Sequence, residues 1–191
     1  KEAGEAAVVI TLASKFSGTY QSATIAADDY ENIYVVDSGS ATMGSGILVE
    51  LAFKLLDEGK NAEEIAAILE EQKKKIIIVA LVDTLEYLKK GGRISKAVAF
   101  AGGVLNIKPV LSVIDGEINM LGKARGSKMG NNLLVQEIDK AGGIDFNKPV
   151  LLGYSGISDA LLKKYIEDSR HIWEGNLQEV RYTTVGSVIG T

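Results

Sequence analysis

The stretch that most constrains the fold runs from Val8 to Tyr20. An apolar run, Val8, Val9, Ile10 and Leu12, reads as a buried parallel strand. It ends among hydroxyls, Thr11, Ser14, Ser17 and Thr19, gathered around Gly18. A helix of small and apolar residues follows, carrying Tyr20, Ala23, Ile25, Ala26 and Ala27. A strand that stops in hydroxyls and turns through glycine into a helix builds an anion corner. The first N–H groups of such a helix have no intrahelical partner, and its dipole favours negative charge there.

Two explanations stand for Ser17, Gly18 and Thr19. One is a local helix cap, for which Ser and Thr are preferred. The other is a carboxylate or phosphate site in which hydroxyls and unpaired amides hold the anion without Lys or Arg. Ser17 as a hydrolytic nucleophile fits less well. The spacing is not Gly-x-Ser-x-Gly, and no base sits at an expected place.

The pattern continues as strand and helix in alternation. Ile33 to Val36 is a short strand, and Met43 to Leu56 has helical spacing at Ile47, Leu48, Leu51, Ala52 and Leu55. Gly59 is a C-cap candidate, and Asn61 with Glu64 three residues on forms a capping box. This order is the signature of a parallel α/β layer. Ile76 to Val82 is a further buried strand, after which Asp83 is expected to cap a short helix to Lys90. Ser95 is expected to cap the next helix. Ile107 to Ile114 and Glu117 to Leu121 flank Asp115-Gly116, the preferred hairpin turn, and Pro109 suggests a strand near a sheet edge. Ser127 to Ala141 reads as helix, Pro149 to Tyr154 as strand, Ser158 as the cap of a helix to Asp168, and Gln178 to Tyr182 as the last strand.

The antiparallel hairpin breaks the parallel regime of the first part. The expected architecture is therefore α/β in two domains, a parallel α/β domain over 1–75 and a second α/β domain with the hairpin over 76–191. Lys1 stands just before a strand, and Ser187 to Thr191 reads as a strand delivering a loop. The expectation is an internal piece of a longer protein, with the first domain incomplete at its N-terminus and the second at its C-terminus.

Composition narrows the function classes. The 191 residues contain no cysteine, which excludes disulfides and thiolate metal sites. His171 is the single histidine, so zinc catalysis and His-based triads are poorly supplied, and no metal site is expected. A net charge of −4 argues against nucleic acid as the partner. No apolar run approaches the ~20 residues of a membrane helix, and no signal peptide is visible. These features fit a cytoplasmic protein.

Other motifs are weaker alone. Gly91-Gly92-Arg93-Ile94-Ser95 lies between two helix caps, and an Arg there suits a carboxylate or phosphate. Lys123, Arg125 and Lys128 cluster around Gly126, as a solvated face or a docking site for an acidic partner. Gly39 and Gly44-Ser45-Gly46 precede a helix as in a dinucleotide loop, but the G-x-G-x-x-G spacing is absent. A serine hydrolase using Ser17, or a dehydrogenase using Gly39 to Gly46, is accordingly disfavoured.

Taken together, the motifs resemble the DegV family of fatty-acid-binding proteins. They are SKFSGTYQSA from Ser14, VDSGSATMGSG from Val36, DTLEYLKKGGRIS from Asp83, LNIKPVLSVIDGEI from Leu105, KARGSK from Lys123 and VGSVIGT from Val185. In this order they cover almost the whole chain.

The resemblance implies a two-domain α/β protein binding one long-chain fatty acid between its domains. It also implies a carrier subunit, not itself an enzyme, of bacterial phospholipid metabolism. Its bound carboxylate would be phosphorylated by a separate ATP-dependent fatty acid kinase subunit. By the same resemblance Ser17, with Gly18 and Thr19, would hold the carboxylate, and Gly92 and Arg93 would lie at the pocket mouth or the partner-docking face. Ile94, Val98, Phe100 and Leu105 are candidates to line the acyl chain, or plain core. No cofactor is implied beyond the fatty acid as ligand, and transient contact with a membrane surface is compatible with a lipid carrier. A lipid-sensing or interaction module without a kinase role is the alternative. Two family features fall outside this sequence: a hydroxyl-bearing loop before Lys1 and a His-containing Gly-rich loop after Thr191. His171 does not match the latter position.

Overall fold

The structure is a computed structural model and describes residues 4–94 and 107–186. It is mixed α/β, and contacts divide the chain into two compact units. The first is Lys1–Ile78 with Val113–Glu117; the second is Val79–Ser112 with Ile118–Thr191.

In the first unit β1 (Ala7–Thr11) and β2 (Ile33–Asp37) pair in parallel, from Ala7 opposite Ile33 to Thr11 opposite Asp37. Their β-branched residues suit a pleated, half-buried surface. The crossover between them is α1 (Thr19–Ala27), which buries no residue. The core comes instead from α2 (Met43–Asp57) and α3 (Ala62–Gln72), where Leu48, Leu55, Ile65, Ala66 and Leu69 close on Val36. Val8, Ile10, Leu51 and Ile68 pack against that cluster. The 3.6-residue period that marks α2 in the sequence is therefore the period of its buried stripe.

Local chemistry fixes the helix ends. The N–H of Gly59, at φ +82°, donates to the Leu56 carbonyl, and the Lys60 N–H to that of Leu55. Asn61 Oδ1 accepts the Glu64 N–H at 2.9 Å, and Glu64 Oε2 accepts the Asn61 N–H at 3.0 Å, the reciprocal capping box. The Asn61 N–H holds the exposed Glu64 carboxyl below its ordinary value. A 3₁₀ turn, Lys73–Lys75, follows α3.

The three-stranded sheet has the order β3 (Ile78–Leu81), β4 (Ile107–Ile114), β5 (Glu117–Arg125). Asp115 at φ +50° and Gly116 at φ +68° make the tight turn between β4 and β5, which run antiparallel. Pro109 lies in the central strand, not near a sheet edge as its chemistry suggests. It is buried near the start of β4, where its carbonyl accepts the Val82 N–H at 3.0 Å; only its missing donor is lost.

The second unit contains α4 (Glu86–Lys90), α5 (Gly126–Lys140), β6 (Leu152–Ser155), α6 (Ala160–Asp168), α7 (Arg170–Trp173) and β7 (Tyr182–Val185). Two readings of its helix starts are corrected. Asp83 does not cap α4, because its carboxylate pairs with Lys108 at 2.5 Å; the Thr84 hydroxyl accepts the Glu86 N–H instead. At α6 the correction is one of position only: Asp159 occupies the N-cap, its carboxylate taken by Lys163 and the Tyr182 hydroxyl, while the Ser158 hydroxyl accepts the Ala160 N–H at 3.3 Å. The last strand is also displaced. β7 begins at Tyr182, opposite Leu152 in parallel β6, and runs through Thr183, Thr184 and Val185, three successive β-branched residues, where Gln178 to Arg181 offer only Val180.

Two clusters hold this unit. Leu85, Ile94 and Leu111 form one; Leu162, Tyr165 and Trp173 form the other, with Phe146 edge-on to the indole. The buried Trp173 Nε1 donates to Ser169 Oγ, which donates to the Tyr165 carbonyl. Burial pushes the Tyr165 phenol up to about 12. A Cβ at Gly130 of α5 would lie 2.6 Å from Leu81 Cδ1, so a larger residue there requires the Leu81 side chain to shift.

The burial pattern ranks substitutions in the first unit. Leu48→Ala is expected to cost roughly 2–5 kcal/mol of unfolding free energy. Ile25→Ala, on an exposed face of α1, should stay within about 0.5 kcal/mol. Urea denaturation reads both, and an Ile25→Ala cost as large as that of Leu48→Ala would refute this account of the core.

Candidate functional site

β1 and β2 end level with each other, since Thr11 stands opposite Asp37. Their loops therefore leave side by side and are bonded together. The Ser38 N–H donates to the Thr11 carbonyl at 3.1 Å, and the Ala13 N–H to the Ser40 carbonyl at 2.7 Å. The Asp115-Gly116 turn closes on the same loops. The Gly116 N–H donates to the Gly39 carbonyl at 2.6 Å, and Lys15 pairs with Glu117 at 2.8 Å. A side chain on Gly116 would meet Ala13 Cβ at 3.1 Å, so positive φ and close approach both favour glycine there.

Asp37 is the acceptor that organises this corner. Its carboxylate takes the Ser14 N–H at 3.2 and 3.3 Å and the Gly39 N–H at 2.9 Å. Lys73 reaches the Asp37 carbonyl at 2.8 Å and also pairs with Glu70. Partial burial pushes the Asp37 carboxyl up. The Ser14 hydroxyl, the Gly39 and Ser14 N–H groups and the Lys73 charge together outweigh that effect and hold it below 3.8.

The first loop places Ser17, Gly18 and Thr19 together. The Phe16 and Ser17 N–H groups both donate to the Ala13 carbonyl, making a tight turn. Ser17 Oγ lies 2.8 Å from Thr19 Oγ1 and accepts the Thr19 N–H at 3.3 Å. Gly18 is the N-cap of α1 and offers no side chain. Ser17 is half-buried, while Gly18 and Thr19 are exposed. The hydroxyl pair at the head of α1 can turn two O–H groups toward an incoming oxyanion. The bonded partner of Ser17 Oγ is a hydroxyl, and a hydroxyl is no general base for a nucleophilic serine.

The second loop holds residues that sequence reading passed over. Ser38 Oγ donates to the Ser40 carbonyl at 3.1 Å and lies 3.0 Å from Ser45 Oγ. The Ser40 hydroxyl is buried, without a hydrogen-bond partner among the described residues. Between them Ala41, Thr42, Met43 and Gly44 form a β-turn, closed by the Gly44 N–H on the Ala41 carbonyl at 3.0 Å. Thr42 sits at φ +48°, ψ −118°, the conformation of the first central residue of a type II′ turn, where glycine is normally found. For a β-branched residue this is strained. The serines were visible in the sequence, but only as the flanks of an imperfect glycine pattern.

In the second unit Gly92, at φ +72°, ends the α4 segment, and the Arg93 N–H donates to the Leu88 carbonyl. The exposed Arg93 guanidinium bonds the Gly91 carbonyl at 2.5 Å. Ile94 is buried in the cluster with Leu85 and Leu111. Val98, Phe100 and Leu105 lie outside the described residues. Lys123 and Arg125 project from the exposed face of β5, and Lys128 from the first turn of α5. His171 is exposed on α7. Among the described residues no group of three or more His, Cys, Asp or Glu side chains could hold a metal ion, and no helix is long and apolar enough to cross a membrane.

The elements and loops define a mixed α/β protein whose strand-end corner is lined by hydroxyls. The chain belongs to the DegV family, whose model, described as uncharacterised protein, DegV family, matches residues 1–191. A DegV domain-containing protein of Caldanaerobacter subterraneus subsp. tengcongensis is 43% identical over 141 residues, 73% of this chain and 50% of that protein. Among solved structures, a DegV family protein from Thermus thermophilus, described for its fatty acid binding, is 30% identical with a TM-score of 0.80. The match covers 98% of this chain and 67% of that one. The Streptococcus pneumoniae Fatty Acid Kinase B3 protein loaded with linoleic acid is 25% identical with a TM-score of 0.72, covering 93% of this chain and 63% of that one. The chain spans about half the length of the curated relatives it matches first.

Two outcomes are expected from this geometry. Because the folded carboxyl of Asp37 lies below its ordinary value, its stabilisation is present above about 3.8 and is lost as pH falls through the lowered value. The stability gap between wild type and Asp37→Asn should therefore shrink on acidification from pH 7 to pH 3. Urea denaturation at both pH values checks this, and a gap independent of pH would refute it. Thr42→Gly should relieve roughly 1–3 kcal/mol of backbone strain against about 0.5–1 kcal/mol of added chain entropy, raising the thermal midpoint. A lowered midpoint would show that Thr42 is unstrained.

Proposed function

We propose that this chain binds a long-chain fatty acid and presents its carboxylate to a separate ATP-dependent kinase subunit in the cytoplasm. The observation that carries this reading is the hydroxyl pair of Ser17 and Thr19 at the head of α1, in a chain of the DegV family. The fatty-acid-loaded relatives support the ligand class, and the Fatty Acid Kinase B3 protein supports the partner. In this role Ser17, Gly18 and Thr19 receive the carboxylate. Gly92 and Arg93 flank the mouth or the docking face, with the exposed cations Lys123, Arg125 and Lys128 available to an acidic partner surface. Ile94, Val98, Phe100 and Leu105 contribute apolar surface to the acyl chain. The chain itself acts as carrier, and the ATP site belongs to the partner.

Energetics divide the labour. Each buried methylene is worth about 0.8 kcal/mol, so a chain of roughly sixteen carbons contributes on the order of 10 kcal/mol before ordering costs. A hydrogen bond to a charged group adds about 1.5–3 kcal/mol. The hydrocarbon thus sets affinity, and the hydroxyls set which end faces out.

Native mass spectrometry of the purified protein should show a co-purifying fatty acid. Ser17→Ala should weaken oleate binding by about tenfold while leaving the thermal midpoint of the unliganded protein within about 2 °C. A delipidated wild-type protein that takes up neither palmitate nor oleate would rule out the reading.

A further inference from the structure

We propose that the first turn of α2 is a separate oxyanion site, built to take a phosphate-class group beside the Ser17 corner. Its position follows from the loop bonds. The Ala13 N–H on the Ser40 carbonyl ties the two loops, and Ser17 is one tight turn from Ala13. The site lies wholly within the first unit, in residues 38–46.

The helix supplies the first donors. α2 runs fifteen residues, long enough to carry a full dipole, and Thr42 at its N-cap makes no side-chain cap bond. The Gly44 N–H is used by Ala41 and the Gly46 N–H by Thr42. Among the described residues the Met43 and Ser45 N–H groups have no acceptor. A helix of this length normally satisfies part of this set with a Ser or Thr cap. Here the type II′ geometry of Thr42 forgoes that cap at the cost of strain.

A second observation points independently to a ligand. Ser40 is 3% exposed, and among the described residues its Oγ has no hydrogen-bond partner. It is aimed into this same turn: a Cβ on Gly44 would fall 2.0 Å from it. A buried hydroxyl left unpaired costs free energy, and protein interiors rarely keep one without a reason. Ser45 Oγ lies 3.0 Å from Ser38 Oγ, whose own proton goes to the Ser40 carbonyl, so the Ser45 hydroxyl donates to Ser38 and exchanges that neutral bond for one to an incoming anion.

The donor set selects the class. Two amides and the hydroxyls of Ser40, Thr42 and Ser45 exceed what the two oxygens of one carboxylate need, and match the three or more terminal oxygens of a phosphate. The donors are neutral. The charge of the nearby Asp37 carboxylate is offset in part by the Ser14 and Gly39 N–H groups it accepts and by the Lys73 charge. The phosphate can be inorganic phosphate or the phosphoryl end of an acyl phosphate. The site itself stands whether or not the fatty-acid reading holds; only the second source depends on it.

Amide resonances of the isotopically labelled full chain test the proposal. Addition of inorganic phosphate should shift the Met43, Gly44 and Ser45 amides in a saturable way. Acetate at matched ionic strength should not, and Ser40→Ala with Ser45→Ala should weaken the phosphate response at least fivefold. Absence of saturable shifts at these amides in the wild type overturns the proposal, whatever the variants do. An equal response to acetate overturns the phosphate class, and an unchanged affinity in the doubly substituted chain overturns the assigned donors. With palmitoyl phosphate, joint shifts at Thr19 and at residues 43–45 support the acyl phosphate as source. Shifts at 43–45 with inorganic phosphate alone support free phosphate. Oleate uptake by the same sample reports on the fatty-acid reading separately.

Discussion

The register of β1 on β2 is the constraint on which the candidate site depends. Thr11 faces Asp37, both strands stop there, and the two loops begin at one level. A slip of one residue would turn Val36, buried in the core, to the opposite face. The core under α2 and α3 resists that slip, because Val36 closes against Leu48 and Leu69. Hydrophobic packing thus fixes a polar geometry some residues away. Once the strand ends are level, backbone bonds such as Ala13 to Ser40 and Ser38 to Thr11 form without further adjustment.

Asp37 then converts level strand ends into ordered loops. One carboxylate satisfies amides from both loops, Ser14 on one side and Gly39 on the other. The third participant is the Asp115-Gly116 turn, whose amide and neighbouring Glu117 bond back to Gly39 and Lys15. The corner is therefore held by three segments far apart in sequence. α1 adds little to that stability, since it buries nothing. Its contribution is the N-terminus it presents behind Gly18, with Ser17 and Thr19 already bonded to each other.

Features decided within a few residues were legible in the sequence. Asn61 with Glu64, and Asp115 with Gly116, need only their own neighbours to form, and both read correctly. The α/β class was legible for the same reason, because each strand and helix carries its own period. Features decided by distant partners were not. Asp83 has the chemistry of a cap, but Lys108, twenty-five residues on, takes its carboxylate. Pro109 has the chemistry of an edge residue, yet neighbouring strands flank β4 on both sides. The Ser17 loop was visible because glycine and hydroxyls adjoin a strong strand signal. The Ser38 to Ser45 loop was not, since nothing local announces that Thr42 takes a glycine conformation or that Ser40 is buried unpaired.

Hydroxyls and amides without a bonded cation also bear on the proposed carrier role. A Lys or Arg seated at the corner would add Coulombic attraction that grows as water is excluded. It would also hold the carboxylate in place when a partner has to reach it. Lys73 and Lys15, the cations nearest these loops in the bonding pattern, are committed to Asp37 with Glu70 and to Glu117. With affinity carried by hydrocarbon burial, neutral donors suffice to orient the head group. Each bond to the carboxylate, about 1.5–3 kcal/mol, is small beside the hydrocarbon term of order 10 kcal/mol, so a partner's groups can replace these donors while the chain stays bound. A tightly held chain with a loosely held carboxylate is the division of binding energy that handing over a reactive head group requires. The paired hydroxyls of Ser17 and Thr19 are suited to that exchange, since each can return to the other when the anion leaves.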